Sequence, residues 1–167
     1  MANAAVTAQY PTAESPSDRP SDRPGERPSL TLTRRLRARP EAVYAAWTQA
    51  AQLMRWFGPP NMKPATLDAE LDVRTGGRYR ISFTDDDGEY FEACGTYREV
   101  VPNERLVFTW AWHSTPERES LVTITLKPDS AGTLLIFHHA QFFDETARDN
   151  HQRGWASSLD QLDAFVA

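Results

Sequence analysis

The sequence predicts an α+β fold, a curved seven-stranded antiparallel sheet wrapped around a long C-terminal helix, with two short helices between strands 1 and 2. Two observations carry this. From Asp144 to Ala167, the residues His151, Trp155, Leu159, Leu162 and Val166 recur at steps of three and four and draw one apolar stripe along a helix. From about Pro64 to Phe143, short alternating apolar and polar stretches are broken by Gly and Asp turns, the pattern of consecutive antiparallel strands. An amphipathic helix must bury its stripe, and the sheet is the surface the chain provides for it.

Residues 1–28 are rich in Ala, Pro, Ser and charge, and contain the repeat Ser17-Asp18-Arg19-Pro20, Ser21-Asp22-Arg23-Pro24. Such a segment buries too little apolar surface to offset its ordering entropy, so a disordered, solubilising tail is expected, with a docking motif as the alternative. The folded domain is expected over 29–167. Its first strand places Leu30, Leu32, Arg34 and Leu36 on one face, Arg34 being the odd member. A helix follows from Pro40, a residue tolerated in the first turn, with Val43, Tyr44 and Trp47 turned inward. A second short helix carries Leu53, Met54 and Trp56 and stops at Gly58-Pro59-Pro60, because proline cannot continue it. Trp56 and Phe57 therefore sit at a helix end.

Strand 2 alternates Leu67, Ala69, Leu71 and Val73 with Thr66, Asp68, Glu70 and Asp72, so one face is wet. Thr75-Gly76-Gly77 turns into a strand carrying Tyr79, Ile81 and Phe83, and Asp86-Asp87-Gly88 turns into one carrying Phe91, Ala93, Gly95 and Tyr97. Pro102-Asn103 leads to Leu106, Phe108, Trp110 and Trp112. Val122, Ile124 and Leu126 pair through Asp129–Gly132 with a last strand from Thr133 to about Gln141. Its inward register is open from the pattern alone, because Leu134 and Ile136 are as apolar as Leu135 and Phe137.

Composition narrows the function. The chain has 167 residues, 40% hydrophobic and 11% aromatic, which suits one well-filled domain. A net charge of -5 and a pI near 5.4 give no basic field for nucleic acid. No apolar run approaches the roughly 20 residues of a membrane span, and no signal-peptide pattern is present, so a cytoplasmic protein is expected. The single cysteine, Cys94, excludes an internal disulfide and has no visible base to activate it. His139 and His151 lack a third ligand at metal spacing, so neither metal nor cofactor is expected. No nucleophile elbow or phosphate-cradling loop appears. Gly154, inside the last helix, costs about 1 kcal/mol relative to alanine. Packing is the expected reason, with close approach of a ligand as the alternative.

Several stretches, namely Val43-Tyr44-Ala45-Ala46-Trp47-Thr48, Trp56-Phe57-Gly58-Pro59, Leu71–Arg80 through Gly76-Gly77, Gly95-Thr96-Tyr97-Arg98-Glu99-Val100, Gly132-Thr133, His139, and His151 with Gly154-Trp155, resemble one family at similar spacing from about residue 30 onward. It is the family named for activators of the heat-shock protein 90 ATPase, within the START-like (SRPBCC) superfamily of helix-grip folds. The resemblance implies that Leu135, Phe137 and His139 face inward and that a cavity lies between sheet and long helix. It also implies an apolar or aromatic ligand there, without catalysis. Tyr79, Ile81, Phe91, Phe108, Trp110 and Trp155 would form the walls. Gly95 would leave room, Trp56 and Phe57 would lie near the mouth, and Arg34 or His139 would supply a polar contact. The alternatives are a cyclase or hydrolase with His139 as general base, or a module for chaperone interaction in the stress response or for homodimerisation through a sheet edge.

Overall fold

The structure, a computed structural model, describes residues 27–167, so the Ser-Asp-Arg-Pro repeat lies outside the described residues. The elements run β1 (Leu30–Leu36), α1 (Pro40–Thr48), α2 (Ala50–Leu53), a 3₁₀ turn (Pro64–Thr66), β2 (Asp68–Leu71), β3 (Arg78–Thr84), β4 (Tyr90–Val101), β5 (Arg105–Trp112), β6 (Ser120–Asp129), β7 (Gly132–Ala140) and α3 (Glu145–Val166). The strands form one antiparallel sheet in the order β1-β7-β6-β5-β4-β3-β2. β2 to β7 are thus a continuous meander, and β1 closes beside β7 with Leu32 opposite Phe137 and Arg34 opposite Leu135. The expected α+β helix-grip fold is the observed one.

The period-2 pattern sorts the two faces of the sheet. Leu135, Phe137 and His139 are fully buried, while Leu134, Ile136 and His138 are half-buried on the other side. Asp144 caps α3, its side chain accepting from the Ala147 N–H at 2.7 Å. The helix then buries Ala147, Asn150, His151, Trp155, Ser158, Leu159 and Leu162. Among the described residues no helix is long and apolar enough to cross a membrane.

Two local expectations change. The second short helix ends at Leu53, Met54 is exposed, and Trp56 lies in the turn beyond. Backbone bonds from both Trp56 and Phe57 N–H to the Leu53 carbonyl tighten this stretch into a turn. β2 is only four residues long, because the Gly77 N–H bonds to the Arg74 carbonyl and the chain reverses early.

Candidate functional site

The inner face of the sheet is filled by the chain's own aromatic rings. Trp155 from α3 sits at their centre, with ring centroids 4.5 Å from Phe137, 5.1 Å from Trp110 and 5.8 Å from Phe57. Each large aromatic supplies much of the core's apolar area, and edge and tilted contacts of this kind add about 0.5–1.5 kcal/mol apiece. The single cavity expected between sheet and helix is therefore divided into small spaces. An outer one of about 40 Å³ is bordered by Phe57, Pro59, Phe83, Trp112, His151 and Gly154, among others. An inner one of about 20 Å³ lies among Trp47, Tyr79, Ile81, Tyr97, Phe108 and their neighbours. Phe57, Trp110 and Trp155 border both and form the partition.

The turn presenting Phe57 is held in place by its sequence. Gly58 adopts φ +127°, and a Cβ there would fall 2.5 Å from the Met62 sulfur. The Gly58 carbonyl accepts from Ser158 Oγ at 3.2 Å and Gln161 Nε2 at 3.0 Å, and the Gly58 N–H donates back to Ser158 Oγ at 3.3 Å. These bonds tie the turn to α3. The outer space opens between Pro59 and Gly154, which are half-buried, whereas its other bordering residues are buried. A Cβ built on Gly154 meets no heavy atom within 4 Å. Packing against neighbouring residues therefore does not account for this glycine, contrary to expectation; its position faces open space at the edge of the outer space.

The two inward histidines hold opposite tautomers. Trp155 Nε1–H donates to His139 Nδ1 at 3.1 Å, so the His139 proton is on Nε2, which donates to Ser120 Oγ at 2.7 Å. Ser120 passes its own hydrogen to the Trp110 carbonyl at 3.2 Å. With both nitrogens engaged, His139 presents no lone pair to an adjoining space, which removes the basis for a general-base role. His151 Nδ1 lies 2.7 Å from the Ala147 carbonyl and must donate to it, leaving one lone pair on Nε2. The Nε1–H groups of Trp110 and Trp112 both point at that atom, each at 3.2 Å. Burial, aided by the neighbouring His151 and His138, pushes His139 well below the ordinary imidazole range. Burial lowers His151 to about 4, its bond to Ala147 opposing the shift. Among the described residues no cluster of His, Cys, Asp and Glu is arranged to hold a metal ion.

Other expected site residues fall elsewhere. Arg34 is on the inward side of β1, but there β1 runs beside α3, and its guanidinium bonds Asp160 at 3.2 Å and the Thr33 carbonyl at 3.1 Å. It borders neither space. Trp56 is not at the mouth; it is buried against Trp47 at 4.7 Å and donates to the Ala46 carbonyl. Phe91 packs on Phe83 and Trp112, outside both linings. Gly95 leaves no room for a ligand, since its Cβ would lie 1.9 Å from the Thr109 carbonyl and 2.8 Å from the Tyr79 ring. Tyr79 crosses this glycine from the facing position on β3, and its hydroxyl donates to Thr109 O. Ile81 and Phe108 border the inner space, and Trp110 and Trp155 border both. Of the residues bordering the outer space, Pro59, Phe83, Trp112, Asn150, His151 and Ser158 were not expected to contact a ligand; His151 had been weighed only as a metal ligand, and Gly154 carried a sequence signal, as a helix-interior glycine that close approach of a ligand could explain.

Comparisons extend the fold to known proteins. The chain is 32% identical to protein CV1439 from Chromobacterium violaceum, with a TM-score of 0.73 over 83% of this chain and 96% of that one. The AHSA1 (SPO3351) protein from Silicibacter pomeroyi is 29% identical, with a TM-score of 0.68 over 82% and 96%. CalU16 from Micromonospora echinospora is 28% identical, with a TM-score of 0.65 over 86% and 78%. No curated protein matches the sequence. Residues 37–167 match the family described as Activator of Hsp90 ATPase homolog 1-like protein, and with the helix-grip architecture this match makes the chain a member of that family.

Proposed function

We propose that the protein binds a small neutral aromatic molecule through the mouth between Pro59 and Gly154, with Phe57 swinging aside to join the outer and inner spaces. Gly154 carries this reading, since a glycine inside a 22-residue helix weakens it by about 1 kcal/mol relative to alanine and no packing contact requires it here. The chemistry of the walls supports a neutral ligand. None of the residues bordering the outer space is charged, so a carboxylate or ammonium would lose hydration without an ion partner. Five of them are aromatic, which suits a flat ring. The polar contact expected from Arg34 or His139 has no support, because neither residue borders either space.

Size demands the Phe57 movement. About 40 Å³ holds roughly three waters, at 10–15 Å³ each, whereas an engineered cavity that binds benzene measures about 150 Å³. The test is tryptophan quenching and thermal shift with a panel of neutral one- and two-ring aromatics, on the parent and on Gly154→Leu. The parent is expected to bind members of the panel. The leucine variant is expected to stay folded and lose that binding. Equal binding by a folded Gly154→Leu protein, or none by the parent, defeats the reading.

A further inference from the structure

Asn150, Gly154 and Ser158 follow one another at four-residue steps on α3, so they share the helix face that borders the outer space. Their polar groups differ in what is left for a ligand. The Ser158 hydroxyl is engaged by both the N–H and the carbonyl of Gly58. Asn150 is 5% exposed, and the Arg153 guanidinium donates to its Oδ1. A guanidinium has no acceptor, so the amide atom it meets must be the oxygen, and the orientation of the amide is decided. Nδ2 is the other end, and it makes no hydrogen bond among the described residues. Nor is it sealed inside, as the unpartnered Trp47 Nε1, Asn61 Oδ1 and Asp85 Oδ2 are, so a molecule in the outer space can reach it.

We propose that Asn150 selects the ligand, presenting its N–H donors to a neutral aromatic that carries an uncharged lone pair at its ring edge. Arg153 is the positioning residue that holds the amide in this sense, and the inference rests on the pocket assignment above. An aromatic hydrocarbon that covers Nδ2 strips water from two N–H groups and returns no acceptor. A lone pair at the ring edge replaces that water. A ligand N–H sets donor against donor. The charge of Arg153 works through the amide, since a charge-assisted bond to Oδ1 polarises the group and strengthens its N–H donors. Arg153 itself is exposed and does not border the space.

Naphthalene, quinoline and indole form the test set, flat two-ring molecules with no polar group, one acceptor and one donor respectively. Affinities are measured by equilibrium dialysis in mild base, where quinoline is uncharged. Each is expressed relative to naphthalene in the same protein, which removes the difference in hydration between probes. The quinoline ratio is expected to be about tenfold higher in the parent than in Asn150→Leu, the worth of one hydrogen bond. Arg153→Leu frees the amide to turn its oxygen toward the ligand, so it should raise the indole ratio. In the parent, quinoline should also move the Asn150 side-chain amide proton signals downfield relative to naphthalene, whose ring current is similar.

Equal quinoline ratios in the parent and Asn150→Leu, or amide signals that respond alike to quinoline and naphthalene, would overturn the proposal while leaving the pocket in place. The amide signals decide the matter in the parent even if Asn150→Leu does not fold. An indole ratio unchanged by Arg153→Leu would overturn the part assigned to Arg153. An indole ratio that falls in Asn150→Leu while the quinoline ratio holds would overturn the proposal in favour of a donor ligand. Failure of all three probes to bind the parent would overturn the pocket reading and this inference with it.

Discussion

Replacing Phe57 by alanine removes one of the three rings that part the two spaces and separates its two roles. The ring touches Trp56, Trp155 and Trp110, with centroids 6.1, 5.8 and 6.5 Å away, and is 6% exposed. Deleting a buried phenylalanine costs about 3–5 kcal/mol, part transfer and part residual cavity. For a domain of this size that lowers Tm by roughly 10–15 °C. The Gly58 backbone bonds to Ser158 and Gln161 remain, so the vacated volume should persist rather than collapse. It would join the spaces of about 40 and 20 Å³ into one that accepts an aromatic ring without rearrangement. At a hundredfold excess over Kd, such a ligand returns about 2.7 kcal/mol, most of the loss. Differential scanning calorimetry with and without a saturating neutral aromatic reads both effects. If Phe57→Ala costs less than about 1 kcal/mol, or is stabilised by the ligand no more than the parent, Phe57 does not separate the two spaces.

Gly154→Ala should raise stability by about 1 kcal/mol, or a Tm increase of roughly 3–4 °C, because the added methyl meets nothing and the helix gains propensity; an unchanged or lower Tm would place an unseen constraint on that glycine. Gly95→Ala should be strongly destabilising, since its Cβ collides with the Thr109 backbone, and a parent-like melt would show that β4 and β5 are not so close. Arg34→Ala should cost under about 1 kcal/mol and leave aromatic binding unchanged, as its pair with Asp160 is exposed; weakened binding would return Arg34 to the site. The buried histidines predict loss of stability in mild acid. The unfolded imidazole takes a proton near pH 6.5 and folded His151 only near 4, so the unfolded state binds more protons between these values. Stability falls as pH drops, by about 2 kcal/mol at pH 5 from His151 alone, with His139 acting in the same direction. Denaturant titrations at pH 7 and 5 measure it, and identical midpoints would contradict the buried neutral state.

The fold was written plainly in the chain because it rests on period. The alternation of strand residues, the turns at Gly76-Gly77, Asp86–Gly88 and Asp129–Gly132, and the stripe from His151 to Val166 each follow from local backbone geometry. Even the register of β7, open between two apolar sets, came from the likeness to a family rather than from the residues themselves. The observed pairing of Phe137 with Leu32 agrees with it.

The site was less legible because it depends on what fills the space between elements. An alternating pattern says that Tyr79 and Gly95 face inward, but not that the ring of one occupies the gap left by the other. It places Arg34 on the inner face, but not beside Asp160, 126 residues away, where α3 carries it clear of the pocket. The convergence of Trp110, Trp112 and His151, and the mouth at Pro59 and Gly154, join residues of β5, the turn after α2, and α3. Local propensity therefore determined the elements and their faces, while packing density and hydrogen-bond satisfaction, which are properties of the assembled interior, decided where any space remained.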